Sequence, residues 1–436
     1  MALGGGTFTV QNKGLPGAYI NFISKASANA ALSERGIVTM PLILDWGREG
    51  EVFEVANADF QKNCMRIFGY EYTHEKMKGL RDLFLSTKTL YAYRLNGGGQ
   101  KAQNALAEAL YSGTRGNDLK IIVQVNTDDE SLFDVETILG AATVDRQTVS
   151  KGEDLTANTY VKWKKGISLE AAAAIPLTGG TDGEVTGADH QAYLDKVESY
   201  TYNAMGVPVT DEITKGLYAS FVKRLRDEMG IKFQLVLYDY TKADYLGINS
   251  IKNKVLDEGW NEAGLVYWVT GISAGCAVNR SNQNRKYDGG FMVDTSYTQT
   301  QLTAAIRAGE FTLHKVGTDI RVLEDINTMI TVSDMQGDVF KDNQTVRVID
   351  QIGNDIAVLF NTKYLGAVPN DAAGRISFWS DIVAHHRQLQ DIRAIENFSD
   401  SDVTVEQGDT KKSVIVEDAV TVVNAMGKLY MVCEVS

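Results

Sequence analysis

The sequence predicts a protein of several domains, of mixed α/β and β class. Its 436 residues exceed what one ordinary hydrophobic core holds. Residues 184–330 alternate apolar strand patterns with amphipathic helix patterns, which is typical of a parallel sheet. Residues 105–183 contain successive strand patterns separated by short polar turns, and these indicate a small β-sandwich.

Glycine-rich and polar breaks divide the chain into five segments. The first is predicted to be an extended arm, because a glycine run leads into two strand-like pieces without a helical period. The second carries strand, helix and strand patterns up to the break "NGGGQKAQN". The last carries two helix patterns followed by terminal strands. The predicted boundaries are 1–24 (arm), 25–96 (α+β), 97–183 (β-sandwich), 184–330 (α/β) and 331–436 (α+β, ending in a strand arm at about 419–436).

The α/β segment contains the patterns on which the choice of function depends. The amphipathic pattern "ITKGLYASFVKRLRDEMG" predicts a helix, and "IKFQLVLYD" predicts the apolar strand after it. "GLVYWVTG" predicts another buried strand, and "AGCAVNRSNQN" predicts that a helix follows. A strand, a tight turn and a helix would therefore meet at "GISAG".

The pattern Gly-x-Ser-x-Gly at "GISAG" is typical of the turn that exposes the nucleophile of serine hydrolases, here Ser273. A working serine also needs a histidine base and a carboxylate that orients it. The histidines that follow lie in a strand-like run (His314) or a helix-like run (His385, His386), and no "HGGG"-type segment precedes. We interpret the turn as close packing of small residues where a helix crosses a sheet. A serine hydrolase using Ser273 remains the alternative function.

Composition excludes several other classes. A net charge of −13 is opposite to what a coat for naked nucleic acid needs. Cys64, Cys276 and Cys433 are widely separated and lack metal-ligand spacing, so no metal or other cofactor is expected. No apolar run is long enough to span a membrane, and "MALGGGTFTV" does not resemble a signal peptide. We expect synthesis in the cytoplasm.

Both ends of the chain carry strand-like pieces. A strand exposes unpaired N–H and C=O groups at its edges, so it requires a partner. The partner is either a strand of the same domain or a strand of a neighbouring subunit, joined by β-augmentation. Two such ends on one chain permit a lattice in which each subunit both gives and receives strands.

Several segments, spread in one order from residue 11 onward, resemble the sheath proteins of contractile phage tails. The resemblance is to the short type found in defective prophages and R-type bacteriocins. It departs from the family pattern at Gly14 and Leu15, which puts a specific charge contact there in doubt. The segments are "QNKGLPGAYINF", "GLVYWVTGISAGCAVNRSNQNRKYDG", "LEDINTMIT", "VRVIDQIGNDIAVLFNTKYLGAVPNDAAGR" and "SVIVEDAVTVVNAMGKLYMVCEV".

The resemblance implies a structural protein, not an enzyme. Residues 184–330 would be a subtilisin-like α/β domain without a catalytic triad, the sandwich would lie outside, and the last domain would lie near the tail tube. Subunits would form stacked hexameric rings around the tube and contract to drive it through the envelope of a target cell. The implied partners are further copies of the chain, the tube protein, and baseplate and tail terminator proteins, without nucleic acid or membrane insertion. The particle would be released from the bacterial host.

The resemblance also assigns roles to particular residues. Glycine tolerates unusual backbone angles, so glycines within the arms are candidate hinges. Basic residues of the helix-like run 374–392, and one just beyond it, are candidates for touching an acidic tube. The predicted arm strands contain Phe8, Val10, Tyr19, Ile20, Phe22, Leu429, Tyr430, Met431 and Val432. The predicted hinges are Gly14, Gly17 and Gly427, and the predicted tube contacts are Arg375, His385, Arg387 and Arg393.

Overall fold

The computed structural model describes residues 32–334 and 336–435. They form two compact units. The sheet unit comprises residues 34–353 and 422–435, and the hairpin unit comprises residues 32–33 and 354–421. None of the described helices is both long enough and apolar enough to cross a membrane.

The strands of the described residues follow in chain order. They are β1 (Ile37–Leu42), β2 (Val52–Ala56), β3 (Thr89–Arg94), β4 (Ala107–Ala109), β5 (Leu119–Val125), β6 (Phe133–Leu139), β7 (Ala142–Val149), β8 (Val161–Trp163), β9 (Ala172–Pro176), β10 (Ala204–Gly206), β11 (Gln234–Tyr238), β12 (Ile248–Ile251), β13 (Glu310–Phe311), β14 (Leu313–Val316), β15 (Asp319–Val322), β16 (Ile395–Glu396), β17 (Val403–Gln407), β18 (Val414–Asp418) and β19 (Thr421–Val422).

The α-helices are α1 (Asn57–Phe68), α2 (Lys78–Phe84), α3 (Gly187–Val197), α4 (Glu212–Asp227), α5 (Val266–Gly275), α6 (Gln299–Arg307), α7 (Asn343–Leu359) and α8 (Ala372–Asp391). A π-helical turn, Phe360–Tyr364, follows α7. Single turns of 3₁₀ helix connect several of these elements, among them Glu75–Met77 before α2 and Glu262–Leu265 before α5.

A seven-stranded sheet is the centre of the sheet unit. Its order is β13-β12-β11-β10-β1-β3-β2, and all neighbours are parallel except β2, which runs antiparallel to β3. The predicted parallel sheet is therefore present. It is larger than the pattern in 184–330 indicated, because strands that precede residue 96 belong to the same sheet.

Helices cover both faces of this sheet, which explains why its strands are apolar on both sides. On one face, Phe60 of α1, Leu83 of α2 and Trp268 of α5 are buried in one core. On the other face, Tyr193 of α3 and Tyr218 of α4 belong to a second core.

A β-sandwich lies between β3 and α3 in the chain, as the sequence predicts. Its larger sheet has the antiparallel order β7-β6-β5-β9, and β4 pairs with β8 in the smaller one. Alternating residues of β5 and β6 bury one face of the larger sheet. Ile121, Val123 and Val135 are at most 1% exposed in this core.

The hairpin unit consists of α8, the end of α7 and the antiparallel hairpin β17–β18. Val403 of the hairpin and Phe378, Ile382 and Val383 of α8 form its core. The indole Nε1 of Trp379 donates a hydrogen bond to the Val403 carbonyl oxygen, 2.9 Å away. One face of the hairpin is therefore fixed on α8.

Two sequence predictions of local structure are wrong. "GLVYWVTG" forms most of α5 instead of a strand, and "AGCAVNRSNQN" forms turns and loop instead of a helix. Periodicity cannot separate a buried strand from a helix that is apolar all round, and α5 is such a helix, with eight of its ten residues buried. The partner of "KLYMVCEV" was left open between its own domain and a neighbouring subunit, and this segment pairs with no strand among the described residues.

Candidate assembly surfaces

Ser273 lies inside α5, near its carboxyl end, and its residue is 3% exposed. No strand-to-helix turn presents its hydroxyl to solvent. The Arg35 guanidinium instead binds this helix end: Nη2 donates to the Ser273 carbonyl at 3.1 Å, and Nε donates to the Cys276 carbonyl at 2.9 Å. The Ser273 backbone thus takes part in a helix C-terminus, where a cation is favourable.

The two glycines of the motif allow close packing, as the sequence interpretation held. A Cβ atom built on Gly271 would lie 2.5 Å from the Leu83 carbonyl oxygen, and one on Gly275 would lie 2.0 Å from the Ser86 carbonyl oxygen. Both carbonyls belong to α2 or the turn after it. On the sheet side, a Cβ atom on Gly206 of β10 would collide with a side chain of α5. The helix therefore meets the backbone of α2 and of the turn after it directly, and it packs a side chain against Gly206 of the sheet.

His385 and His386 of α8 are fully buried inside the hairpin unit. His385 Nε2 lies 3.0 Å from a carboxylate oxygen of Asp355, and His386 Nε2 lies 2.8 Å from one of Asp418. The two Nδ1 atoms are 3.3 Å apart. The four side chains form one chain of hydrogen bonds that joins α7, α8 and β18. His385 is therefore not available for the predicted tube contact; this corrects the sequence prediction, which requires an accessible side chain.

The predicted arginines of the same helix lie nearer the surface. Arg387 is exposed and binds the Asp400 carboxylate through Nη2, at 2.8 and 2.6 Å. Arg375 is half-buried, and its Nη1 donates to the backbone carbonyl and to the side-chain oxygen of Asn370. Arg393 is exposed directly after α8, in a left-handed backbone conformation with φ 59°. Arg387 and Arg393 are the two accessible members of the predicted set.

The hairpin β17–β18 is a two-stranded sheet whose outer edges have no partner strand among the described residues. Val403 and Val405 face the core of this unit, while Ile415 on the opposite face is 49% exposed. An isolated pair of strands is marginally stable in water, and unpaired edges are templates for further strands. The hairpin therefore offers two places where an extended segment can add.

The last described residues of the chain form an extended apolar segment that nothing covers in the described structure. The residues are Leu429, Tyr430, Met431 and Val432, with exposed fractions of 85, 89, 77 and 92%. A contiguous exposed apolar stretch of this kind marks an interaction surface. The predicted arm residues near the start of the chain lie outside the described residues: Phe8, Val10, Gly14, Gly17, Tyr19, Ile20 and Phe22.

One cavity, of about 450 Å³, opens at the carboxyl end of β1, where α/β proteins commonly bind ligands. Its polar side chains already bind one another: the Tyr70 hydroxyl donates to Asp45, and the Lys76 ammonium contacts both. Burial and the Asp45 carboxylate raise the pKa of Tyr70 to about 12. Across residues 32–334 and 336–435, no cluster of His, Cys, Asp or Glu is suited to a metal ion.

Comparison with known proteins identifies the family. Four family descriptions match in order: the tail sheath protein Gp18 domain III N-terminal region at residues 35–95, the phage tail sheath β-sandwich domain at 87–182, the central domain at 183–328 and the C-terminal domain at 335–436. The chain belongs to the phage tail sheath proteins. The sheath protein is thus multidomain α/β with a β-sandwich, as the sequence predicts.

Relatives match along the length of this sheath protein. The phage-like element PBSX protein XkdK of Bacillus subtilis (strain 168) is 31% identical over 470 residues, covering 100% of both chains. The crystal structure of a sheath tail protein from Desulfitobacterium hafniense covers 93% of this chain and 96% of its own, with a TM-score of 0.82 and 37% identity. The anti-feeding prophage helical sheath in the contracted state shares the fold, with a TM-score of 0.56 and 11% identity over 97% of this chain and 98% of its own.

The family assigns a structural role, so the serine hydrolase alternative is dropped. The helix position of Ser273 and the backbone contacts of its flanking glycines agree with that assignment. The sequence analysis missed the chain of hydrogen bonds through His385 and His386. Their neighbours Ile382, Val383 and Leu389 were the available signal, since they place this stretch of α8 in a core.

Proposed function

We propose that this sheath protein assembles as stacked hexameric rings around a tail tube, and that the assembled sheath contracts. Contraction would drive the tube through the envelope of a target cell. The observation that carries the proposal is that one chain has both parts of a strand contact. The apolar segment around Tyr430 is exposed without a partner among the described residues, and the hairpin β17–β18 has two open edges. Each copy thus provides both halves of a strand-to-edge contact.

Strand addition explains how such an assembly can move without falling apart. Backbone hydrogen bonds between a strand and an edge hold two subunits together, while the chain that leads into the strand can change direction. A rigid-body rotation of each subunit then requires turning only in the connecting arm. Residues 1–24 would supply a second arm of the same kind, with Gly14 and Gly17 as its hinges.

The test is negative-stain electron microscopy of the purified, untagged full-length protein at increasing concentration. We expect hollow striated tubes, because both halves of the proposed contact are present on every subunit. A second preparation contains the tail tube protein from the same gene cluster, in case the sheath requires a nucleus. Uniform small particles in both preparations would contradict the proposal.

A contact between α8 and the tube is a narrower part of the proposal. Arg387 and Arg393 are its remaining candidates, and an acidic tube surface would be their partner. Arg387 already binds Asp400, so its substitution would also remove an ion pair within the subunit. Arg393 is therefore the better position for a substitution that tests the tube contact. Arg393→Glu should loosen the sheath from the tube without changing the unfolding temperature. Arg146→Glu on the sandwich is the control, since the outer domain should not touch the tube. Equal sheath-to-tube ratios in the two variants would remove the contact.

The proposed life cycle follows from this role. The chain would be made in the cytoplasm of a bacterial host, join its own copies, the tube protein, the baseplate and the tail terminator, and leave the cell within the particle.

A further inference from the structure

Two side chains of the first turn of α7 hold the base of the C-terminal segment. The Gln344 amide Nε2 donates to the Val423 carbonyl oxygen at 2.9 Å, and Gln344 Oε1 accepts from the Ala425 amide at 3.0 Å. Its two partners are two residues apart on one extended stretch of chain. A neighbouring strand makes its hydrogen bonds with the same spacing, so the Gln344 amide replaces a strand at this point.

Thr345 holds the residue between them. Its hydroxyl lies 3.2 Å from Asn424 Oδ1, and Asn424 Nδ2 donates to the same hydroxyl at 3.1 Å. Gln344 and Thr345 are each 2% exposed, whereas Asn424 is exposed. Residues 423–425 are therefore bound through three consecutive positions.

The two binding side chains are themselves fixed. One carboxylate oxygen of Asp342 accepts the backbone amides of Gln344 and Thr345, at 2.7 and 3.2 Å, and so caps the helix. The adjacent Asn343 bonds to Gln234 of β11 and to Asp325, at 2.8 and 3.1 Å.

A buried ion pair also fixes the first turn of α7. Arg347 Nη2 and Asp325 Oδ2 are 2.6 Å apart, and both side chains are 1% exposed. The first turn of α7 is thus tied through polar contacts to the central sheet. A buried network of this kind restricts an element to one position.

The hydrogen bonds that hold this segment end at Ala425. Within the described part of the chain, no group of residues 426–435 has a hydrogen-bond partner, and Met426 is fully exposed. Gly427 adopts an ordinary backbone conformation, not the left-handed one that favours glycine.

We propose that Gln344 and Thr345 are positioning residues for assembly: they fix the point at which the C-terminal segment leaves the subunit. Residues 423–425 form a fixed root, and the segment turns from Met426 onward. Every copy then presents its strand from one place. This inference rests on the proposed function, since it identifies the residues that fix the position of the C-terminal arm used in the sheath.

The root is tested in the full-length, unassembled protein by hydrogen exchange of the Ala425 backbone amide, which donates to Gln344 Oε1. Gln344→Ala and Thr345→Val should each accelerate exchange there, by about tenfold for Gln344→Ala. Thr345→Ser keeps the hydroxyl, and Gln336→Ala removes an exposed glutamine of the preceding loop; both should exchange as the wild type does. Unchanged exchange in Gln344→Ala would overturn the root.

Its role in assembly is tested separately. Asn424→Ala alters the root from its exposed side and spares the core, so it serves if Gln344→Ala does not fold. Among folded variants, those with a loosened root should give fewer and shorter sheaths by electron microscopy than Thr345→Ser. Sheaths of wild-type length from a loosened root would overturn the positioning role. Absence of sheaths from the wild type would instead count against the proposed function, and leaves the exchange result intact.

Discussion

At the residue scale, Gly275 is one of the tightly constrained positions, where a methyl group would meet the Ser86 carbonyl oxygen at 2.0 Å. Neither partner is a flexible side-chain end: one is the backbone of α5, the other the backbone after α2. Protein interiors pack at crystal-like density, so an added methylene forces backbone shifts. The glycine that made the sequence look like a hydrolase is thus needed for packing.

We expect Gly275→Ala to lower the free energy of unfolding by about 1–3 kcal/mol or more. Ser273→Ala, two residues away in the same helix, is the matched control and should cost within about 1 kcal/mol. Urea unfolding of the two variants compares them directly. Equal stability of both would mean that α5 can move away from α2 at no cost.

Acid stability depends on His190 of α3. Its ring Nδ1 lies 2.8 Å from the Tyr218 hydroxyl of α4. Burial lowers the pKa of His190, although the nearby carboxylates of Asp189 and Asp211 oppose the shift. The folded protein therefore binds this proton less readily than the unfolded chain, whose histidine pKa is about 6.5. The stability from the neutral ring is present above that value and is lost as the pH falls through the folded pKa.

His190→Gln removes this titration and retains a polar group near Tyr218. We expect its melting temperature to fall less between pH 7 and pH 5 than that of the wild type. Thermal melts at four pH values across this range measure the difference. The same pH slope in both proteins would show that other groups dominate the acid response.

At the element scale, α8 supports the hairpin that we propose to receive neighbouring strands. Trp379 binds the start of β17 through its indole, and His386 binds the Asp418 carboxylate at the end of β18. Because Val403 pairs with Asp418, both contacts lie at the open end of the two-stranded sheet, and this end is fixed to one helix. A receiving edge that is held in place loses less conformational entropy when a strand adds.

His386→Ala should reduce the stability of the hairpin unit by about 3 kcal/mol, because it leaves Asp418 without this partner and breaks a buried hydrogen-bond chain. Arg387→Ala, the next residue on the helix, removes a surface ion pair and should cost within about 1 kcal/mol. Calorimetry on both variants is the measurement. If both variants lost a similar amount of stability, the buried hydrogen bonds of His386 would contribute no more than the surface ion pair of Arg387.

At the scale of the whole molecule, the two units have separate tasks. The sheet unit carries the large cores and the root of the C-terminal segment, while the hairpin unit carries the open strand edges. In the proposed assembly a subunit contributes a strand from one unit and receives strands on the other. This division permits a lattice in which no subunit needs to refold.

Deleting residues 1–20, or residues 426–436, should abolish ordered sheaths and leave a folded monomer. Residues 426–435 belong to no hydrophobic core of the described residues. Circular dichroism checks the fold, and electron microscopy checks assembly. Leu429→Ser with Met431→Ser keeps the length of the second arm and should weaken assembly less than the deletion does. Ordered sheaths from either deletion would contradict the arm mechanism.

Sequence patterns alone determined the α/β and β-sandwich classes, the amphipathic helix α4, the helix α8, and the two apolar ends. These follow from local periodicity: alternation in β5 and β6, a 3.6-residue period in α4, and glycine or proline at the breaks. The order of motifs also led to the family. Local patterns suffice there because each face of an element repeats within a few residues.

The tertiary structure decided what no local pattern specifies. Whether "GLVYWVTG" was a strand or a helix depended on its being buried on all sides, and the surroundings of Ser273 depended on α2, about 190 residues earlier in the chain. His385 was predicted to lie at the surface, but it is buried beside the Asp355 carboxylate, which lies 30 residues earlier on another helix. The root of the C-terminal segment depends on Gln344, 79 residues before Val423. Such contacts join distant residues, so only the folded chain brings them together.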